Sequence, residues 1–317
     1  MMNYELFKEI VIENFKDYMP EEYKDGKVII HQVIKVNQIL ECINLILYNN
    51  ENISILPNIY ISSMYEHYNE CGNLQKVFQT ATDRMIQAFM NTPHIVQELN
   101  FDRMKDNVFM VLVNTEQNKS MLDNVPHREF HDLSIIYRWL FNKSIDNIQS
   151  AIIENPLAEA FGMDEEALYG AAVMNTKRLF PISVQNMNDI LRESYMENGM
   201  PDKMIDMIIG EVPEEQTVWV ISNESRINGA ASMLYEEVLY TLAEQLERNL
   251  YIMPSSIHEV LAVSAAMKDP NELAQMVSEI NRAQISLDKR LSNQVYLYDK
   301  DLRKISLATD TPNNRLD

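Results

Sequence analysis

Residues 133–141, LSIIYRWLF, constrain the fold more than any other stretch of the sequence. Every odd position holds a large apolar side chain, whereas the even positions include Ser134 and Arg138. Because successive side chains of a β-strand point to opposite faces of a sheet, this period of two predicts a strand with one face in a hydrophobic core. A sheet must then be present, and we expect residues 148–155, IQSAIIEN, to pair with this strand.

The rest of the chain divides between helical and strand-like patterns. Apolar residues at helical spacing predict helices over 3–18, 164–180, 228–248 and 270–285, with a short helix near 156–161 and either one long helix or two over 63–91. Runs rich in Ile and Val predict strands over 27–36, 38–47, 58–62, 107–114, 217–222, 250–253 and 259–264, and a closing hairpin over 295–299 and 304–308. This mixture predicts an α+β fold with two lobes, in which small mixed sheets carry helices packed on their faces.

The chain of 317 residues is long enough for two lobes, and its pattern restarts once. Residues 1–95 are expected to form an N-terminal α-β-β-β-α lobe, and residues 96–310 a larger mixed α+β lobe. The best linker candidates are residues 91–97 and 197–216, the second of which contains two glycines and two prolines. Residues 311–317 are expected to form a disordered tail.

The net charge of −20 restricts the partners of this protein. Such a surface repels phosphate groups, so we expect no direct nucleic-acid binding and no membrane-surface binding. Residues 151–250 hold 18 of the acidic side chains and only 6 basic ones. An acidic face that keeps the protein in solution is one interpretation, and a surface that imitates DNA or binds a basic partner is the other.

Cysteine usage and the N-terminal segment predict a cytoplasmic protein. Cys42 and Cys71 lack metal-ligand spacing and are too few for a disulfide framework, which fits a reducing compartment. The first residues, MMNYELFKEIVIENF, carry charges that interrupt any signal-peptide core. No apolar run approaches the roughly 20 residues of a membrane-spanning helix.

Residues 252–261, IMPSSIHEVL, place Ser255, Ser256, His258 and Glu259 within five positions. A zinc protease needs a second histidine in the pattern His-Glu-x-x-His on a helix, and that histidine is missing here. A serine hydrolase commonly presents its nucleophile between two glycines, which are also missing. A turn leading into a strand explains these residues best, although they stay the candidates for catalysis.

A second polar cluster lies in residues 125–134, VPHREFHDLS. The candidate binding residues are His127, Arg128 and Glu129, and the candidate catalytic partners are His131 and Asp132. Histidines four residues apart could share a metal on a helix, but the neighbouring strand pattern separates them by about 13 Å. We therefore predict no metal. A loop held by hydrogen bonds is one interpretation, and a site assembled with the 254–259 turn is the other.

Residues 222–231, SNESRINGAA, connect a predicted strand to a predicted helix, where phosphate-binding loops occur. Arg226 is a candidate for anion binding there. The segment has a single glycine, Gly229, and no lysine, so helix capping by Ser225 or Asn228 is the favoured role. We predict no cofactor.

Several of these segments together resemble a known family. HREFHDLSIIY, NGAASMLYEEVL and above all YIMPSSIHEVL are similar to the uncharacterised bacterial proteins of domain-of-unknown-function family 5688, and NYELFKEIV, IYISSMYEHY and VYLYD fit in the same order. The resemblance covers nearly the whole chain. It implies a bacterial cytosolic protein with an α+β fold and an association with mobile elements, but it implies no activity.

Three functions remain open from the sequence. The favoured one is a non-catalytic interaction or regulatory protein whose partner is another protein, with the oligomeric state undetermined. The first alternative is a hydrolase-type enzyme that uses the 255–259 turn together with His131 and Asp132. The second is an acidic inhibitor that mimics nucleic acid, which requires the carboxylates of 159–166, 211–215 and 236–247 to form one row.

Overall fold

The structure is a computed structural model. It describes residues 2–49, 52–91, 104–143, 148–210, 212–213, 216–254 and 256–310. The chain divides into two compact units, Met1–Leu99 and Asn100–Asp317, so the division falls a few residues beyond position 95. Residues 92–97 of the first expected linker and the expected tail, 311–317, lie outside the described residues.

The N-terminal unit combines three helices with a small antiparallel sheet. Its elements are α1 (Tyr4–Asn14), β1 (Lys27–Lys35), β2 (Gln38–Asn49), β3 (Asn52–Ile55), β4 (Ile59–Tyr60), α2 (Ile61–Cys71) and α3 (Leu74–Asn91). Strand β2 lies between β1 on one side and β3 and β4 on the other. The tight turn between β1 and β2 contains Asn37, whose φ of 62° lies in the left-handed region that asparagine tolerates.

One hydrophobic core joins these helices to one face of the sheet. Phe7 of α1, Leu45 of β2 and Phe78 of α3 are almost completely buried in it. Of the two arrangements left open for residues 63–91, one long helix or two, the structure has two helices, because Gly72 takes a left-handed conformation and ends α2. The strand predicted over 58–62 is only two residues long, since α2 already begins at Ile61.

The C-terminal unit contains two antiparallel sheets. The first is built from β5 (Val108–Asn114), β6 (His127–Phe130), β7 (Leu133–Lys143) and β8 (Ile148–Ile152), with helices α4 (Lys119–Leu122), α5 (Asn155–Ala160) and α6 (Glu165–Leu179). Strand β7 pairs with β5 along one edge and with β6 and β8 along the other. The predicted pairing of β7 with residues 148–155 is therefore confirmed.

Strand β7 is covered on both of its faces, although its side chains alternate between apolar and more polar ones. Its even positions from Ser134 to Leu140 are as well covered as its odd ones, whereas Phe141 is 39% exposed. The predicted buried face is confirmed from Leu133 to Trp139, but packed side chains cover the opposite face as well. Arg138 fits this setting by donating to the side chain and carbonyl of Ser150.

The second sheet has six strands in the order β14-β13-β11-β12-β10-β9. These strands are β9 (Ile182–Asn186), β10 (Trp219–Asn223), β11 (Leu250–Met253), β12 (Val260–Ser264), β13 (Tyr296–Asp299) and β14 (Lys304–Leu307), and the helices are α7 (Met187–Glu197), α8 (Asp202–Ile209), α9 (Glu236–Gln245) and α10 (Pro270–Gln284). The α+β class is confirmed, and the strand pairings of the described residues are antiparallel rather than mixed.

The helix predicted over 228–248 is interrupted. Residues Gly229–Leu234 form a 3-10 helix, and α9 begins only at Glu236. The reason lies in tertiary contacts, because five consecutive residues from Gly229 to Met233 are buried against the sheet. A continuous amphipathic α-helix would bury only one stripe of this segment. None of the described helices has the length and apolar character that a membrane span requires.

Candidate functional site

The 254–259 turn connects β11 to β12. Ser255 lies outside the described residues. Ser256 is 3% exposed, and its hydroxyl accepts a hydrogen bond from the backbone N–H of His258 at 3.0 Å. Ser256 also forms an isolated β-bridge with Arg290. The hydroxyl therefore fixes the shape of the turn, as serine side chains commonly do in turns.

His258 is held by the segment that follows β10. Its Nδ1 accepts from the backbone N–H of Asn228 at 3.3 Å, and its carbonyl accepts from the hydroxyl of Ser222 at 2.7 Å. An accepting Nδ1 leaves the proton of a neutral imidazole on Nε2. Burial lowers the pKa of His258, although the carboxylate of Glu259 opposes this change. The ring is therefore a neutral hydrogen-bond acceptor that joins two loops.

This burial predicts a loss of stability on mild acidification. The pKa of His258 in the folded protein lies below its ordinary value of 6.5, so above pH 6.5 the ring is neutral in both the folded and the unfolded state. Below that pH the unfolded state binds the proton first, which lowers the free energy of unfolding. We expect urea unfolding between about pH 7.5 and about pH 5 to show this loss in the parent protein and a smaller one in His258→Gln.

His131 provides the matched control, because its side chain is exposed. His131→Gln should still show the loss of stability on acidification, because His258 is present in that variant. An equal pH dependence in the parent protein and in His258→Gln would contradict the assignment to His258.

The second cluster is a hairpin rather than a loop. Strand β6 pairs with β7 from His127 to Phe130, so His131 and Asp132 form a two-residue turn. His131 has a φ of 58°, and its ring lies edge-on to Phe130 and Tyr296. The strand was not anticipated, because HREF has no apolar alternation and forms only by pairing with β7.

Asp132, which is half-buried, is the centre of a hydrogen-bond network. Its carboxylate accepts from the hydroxyl of Ser292 at 2.6 Å and from the hydroxyl of Tyr296. Both partners are completely buried. Burial and the neighbouring carboxylate hold the pKa of Tyr296 well above its ordinary value, so the phenol stays a donor. The backbone N–H of Ser292 donates to the carbonyl of Pro254 at 2.8 Å.

Ser292 therefore links the two polar clusters of the sequence. It bonds to Asp132 on one side and to the 254–259 turn on the other. Among the hydrogen bonds of the described residues, none joins His258 to His131 or Asp132 directly. His258 bonds to Asn228, whereas Asp132 bonds to Ser292 and Tyr296. These bonds hold the β6–β7 hairpin, the 254–259 turn and residues 292–296 together.

Arg128 belongs to a network on α6. Its Nε and Nη2 donate to the carboxylate of Glu165 at 3.0 and 2.8 Å, and Nη2 also donates to Glu166. The guanidinium lies 3.8 Å from the ring centre of Tyr169, within the range of a cation–π contact. Burial would raise the pKa of Glu165, but hydrogen bonds from Arg128 and Tyr137 outweigh it and keep that pKa low. Arg128 is thus a positioned ion-pair residue.

A cavity of about 400 Å³ opens beside this network. His127 lines it and uses Nδ1 to bond the carbonyl of Val125 at 3.0 Å. Glu159 and Asp164 also line it, but Asp164 caps α6 by accepting from the N–H of Ala167. Within the described part of the chain, no three side chains of His, Cys, Asp or Glu converge as metal ligands.

Glu129 and Arg226 lie at the surface. Glu129 is exposed on β6. Arg226 has a φ of 52° and donates to Gln185 at 3.4 Å. The helix was expected to be capped by Ser225 or Asn228. Asn228 holds the N-cap position, but its backbone is left-handed and its side chain makes no capping hydrogen bond. Its backbone N–H bonds to His258 instead.

An exposed apolar surface on α7 and α8 was missed from the sequence. Met204, Met207 and Ile208 are 52%, 86% and 54% exposed, and Ile205 is the buried residue of α8. On α7, Met196 is 45% exposed one turn after Arg192, which pairs with Asp206 of α8 at 2.7 Å. We call Met196, Met204, Met207 and Ile208 the methionine surface. Their helical spacing was a detectable signal, but the glycines and prolines around them suggested a linker.

Comparison with known proteins places nearly the whole chain in one family. The model of a family of unknown function, DUF5688, matches residues 4–300. Neither the curated proteins nor the solved structures include one that matches the chain. The match covers both units and contains the 254–259 turn and the β6–β7 hairpin. The resemblance seen in the sequence is thereby confirmed, and the protein is a member of DUF5688, a family of unknown function.

Proposed function

We propose that this protein is a non-catalytic interaction protein that binds a basic amphipathic helix of a partner on its methionine surface. The observation that carries the proposal is the exposure of Met204, Met207 and Ile208, three neighbouring apolar side chains on one side of a short helix. Contiguous apolar surface of this kind marks binding sites in proteins that are otherwise well packed.

The chemistry of the surface fits a helical partner. Methionine is flexible and polarisable, so a methionine-rich surface adapts to different apolar side chains. Residues 187–210, which contain α7 and α8, carry five carboxylates and two cations. One of the cations, Arg192 of α7, is paired with Asp206 of α8. Glu193 and Glu197 flank Met196 on α7. An apolar strip with acidic neighbours complements a helix whose apolar face is bordered by Lys or Arg.

The polar clusters support a non-catalytic role. The hydroxyl of Ser256, Nδ1 of His258 and the carboxylate of Asp132 each already bond to the protein's own groups. A hydrolase would need a nucleophile and a base directed at each other. The hydrolase hypothesis therefore requires a rearrangement of the turn, whereas an interaction protein requires none.

The acidic residues favour a protein partner over mimicry of nucleic acid. Glu165 and Glu166 pair with Arg128, Glu237 pairs with Lys177, and Glu244 pairs with Lys300. Carboxylates neutralised within the molecule make a weaker imitation of a phosphate row. We place this interaction in the bacterial cytoplasm, where Cys42 and Cys71 remain free thiols.

Replacing the exposed methionines should weaken the binding of a basic helix without harming the fold. The probe is a fluorescein-labelled amphipathic helix of about 18 residues made of Leu and Lys. We expect Met204→Gln combined with Met207→Gln to raise its Kd at least about tenfold in fluorescence anisotropy, because apolar contact is lost at constant charge. Circular dichroism should be unchanged, since both side chains are exposed.

Met174 is the matched control, because it is 73% exposed on α6 and lies outside the methionine surface. Met174→Gln should keep the parent affinity. Equal affinities of the double variant and Met174→Gln would refute the proposed surface. A Leu–Glu peptide that binds as tightly as the Leu–Lys peptide would refute charge complementarity, and self-association abolished by the double variant would assign the surface to a second copy of this chain.

A further inference from the structure

A second cavity lies within the N-terminal unit, between the start of α2 and the middle of α3. Its volume is about 170 Å³, smaller than the cavity beside Arg128. Ser63 and His67 line it from α2, and Thr80 and Arg84 line it from α3. In each pair the residues are four apart, so each helix presents two polar side chains on one face toward the cavity.

The floor of this cavity is apolar. Met64, Val77 and Ala81 line it and are each at most 5% exposed, because they also belong to the core of the unit. The cavity thus combines a closed hydrophobic base with a polar rim. Small-molecule sites commonly have this arrangement, with a few polar groups that fix the orientation of a ligand.

The charge of the rim is opposite to that of the protein. The chain has a net charge of −20, yet the cavity is lined by the cation Arg84 and by no carboxylate among the described residues. Arg84 is not one of the cations that form ion pairs in the described part of the chain. An unpaired guanidinium beside two hydroxyl groups is suited to bind an oxyanion, since its donors match carboxylate and phosphate oxygens in pairs.

The N-terminus of α2 adds to this positive potential. Its N-cap residue, Tyr60, lines the cavity and makes no side-chain capping hydrogen bond. The first backbone N–H groups of a helix lack partners within the helix and carry partial positive charge. Lys35 lies 5.9 Å from the ring centre of Tyr60, which brings a further cation to the same edge of the unit.

We propose that this cavity binds a small organic oxyanion, a carboxylate or a phosphate monoester attached to a short apolar group. Arg84 and the start of α2 hold the oxyanion, the hydroxyls of Ser63 and Thr80 donate to it, and the apolar group rests on the floor formed by Met64, Val77 and Ala81. The site lies in a different unit from the methionine surface, so it stands independently of the proposed interaction function.

Isothermal titration of the full chain tests the site with butyrate, butyl phosphate and inorganic phosphate, and with neutral butyramide for comparison. At least one of the two organic anions should bind. Inorganic phosphate should bind more weakly because it lacks the apolar group, and butyramide because it lacks the negative charge. Arg84→Gln should raise the Kd at least about tenfold, and Arg84→Lys should raise it less, since charge remains but the paired donors are lost.

Lys76 is the matched control, because it is an exposed cation on α3 that does not line the cavity. Lys76→Gln should leave the Kd unchanged. Preferred binding of butyrate identifies a carboxylate ligand, and preferred binding of butyl phosphate identifies a phosphate monoester. Absence of heat with both organic anions overturns the proposal, as does an equal Kd for Arg84→Gln and Lys76→Gln.

Discussion

Replacing Gly229 with alanine is expected to lower the free energy of unfolding of the C-terminal unit by about 3 kcal/mol. A Cβ atom at this position would lie 2.2 Å from Oγ of Ser222, 2.5 Å from the carbonyl oxygen of His258 and 2.8 Å from the backbone nitrogen of Asn223. Real Cβ atoms do not approach other atoms so closely. Two of the three atoms are backbone, so a change of side-chain rotamer cannot relieve the clash.

The measurement is urea unfolding followed by tryptophan fluorescence. Both tryptophans, Trp139 and Trp219, lie in the C-terminal unit, so the signal reports the unit that contains the substitution. Gly170 is the matched control, because a Cβ there meets nothing within 4 Å and the residue lies within α6. Gly170→Ala should stabilise the protein by about 0.5–1 kcal/mol, since alanine favours the helix.

A second variant separates the backbone clash from the side-chain clash. Ser222→Ala removes the nearest atom but also the hydrogen bond to the carbonyl of His258, so its own cost is measured first. Relative to Ser222→Ala, the double variant with Gly229→Ala should recover only a small part of the stability that Gly229→Ala loses. Full recovery would show that the serine hydroxyl alone makes the contact. A loss below about 1 kcal/mol for Gly229→Ala would contradict the close approach of residues 222–229 to the 254–259 turn.

The second large effect is expected at Asp132. Asp132→Ala should lower the free energy of unfolding by about 3 kcal/mol, because the hydroxyls of Tyr296 and Ser292 would lose a charged acceptor in a buried position. Asp132→Asn should cost less, since one amide oxygen still accepts a hydrogen bond. The change is again measured by urea unfolding with tryptophan fluorescence.

A double-mutant cycle between Asp132 and Tyr296 shows whether the cost of Asp132→Ala comes from this hydrogen bond or from the loss of a charge in general. If the Asp132–Tyr296 bond carries much of the effect, Asp132→Ala and Tyr296→Phe should together cost at least about 1 kcal/mol less than the sum of the two. Asp301→Ala is the control, because Asp301 is exposed in the turn between β13 and β14. Additive costs of the two substitutions would argue against the network.

The same variants bear on the hydrolase hypothesis. If Asp132 only holds Tyr296 and Ser292 in place, Tyr296→Phe reproduces part of its effect on stability. If Asp132 instead orients a catalytic histidine, stability should change little while the affinity for a substrate or inhibitor changes. A large loss of stability supports the structural role, and a role in orienting a histidine is tested only by the binding of a substrate or inhibitor.

Much of the fold was predictable where local chemistry decides the structure. Helix α6 spans Glu165–Leu179, within one residue of the predicted 164–180 at each end. Acidic residues in its first turn and Lys177 and Arg178 in its last turn suit the helix dipole. The β1–β2 hairpin turns at Asn37, as its Ile- and Val-rich flanks predicted. These features depend on neighbours within a few positions, so a single sequence contains the information.

Other features were not predictable from local pattern. Prolines and glycines predicted a linker over 197–216, but helix α8 lies within that range. Strand β9 and helix α7, which precede it, were not predicted. Strand β6 has little strand character of its own and exists because β7 pairs with it. The helix from residue 228 breaks because Gly229 is pressed against β10 and the 254–259 turn. Each of these outcomes depends on residues far away in the chain.

The residues of the candidate site were predictable from the sequence, whereas their partners were not. The sequence drew attention to Ser256, His258, Arg128 and Asp132, and every one of them is a well-partnered polar residue in the structure. Their partners could not be named in advance, since Asp132 and Tyr296 are 164 positions apart. The methionine surface went unnoticed, because exposure depends on which helix faces remain uncovered after packing.

The sequence by itself determined the acidic character, the α+β class, the family and most individual helices and strands, because charge, periodicity and caps act over short distances. Only the tertiary structure decided what the polar clusters do. The turn IMPSSIHEVL is held by Ser222 and Asn228 from one segment and by Lys289 and Ser292 from another. Buried polar groups must find partners, and the fold alone determines which groups come within reach.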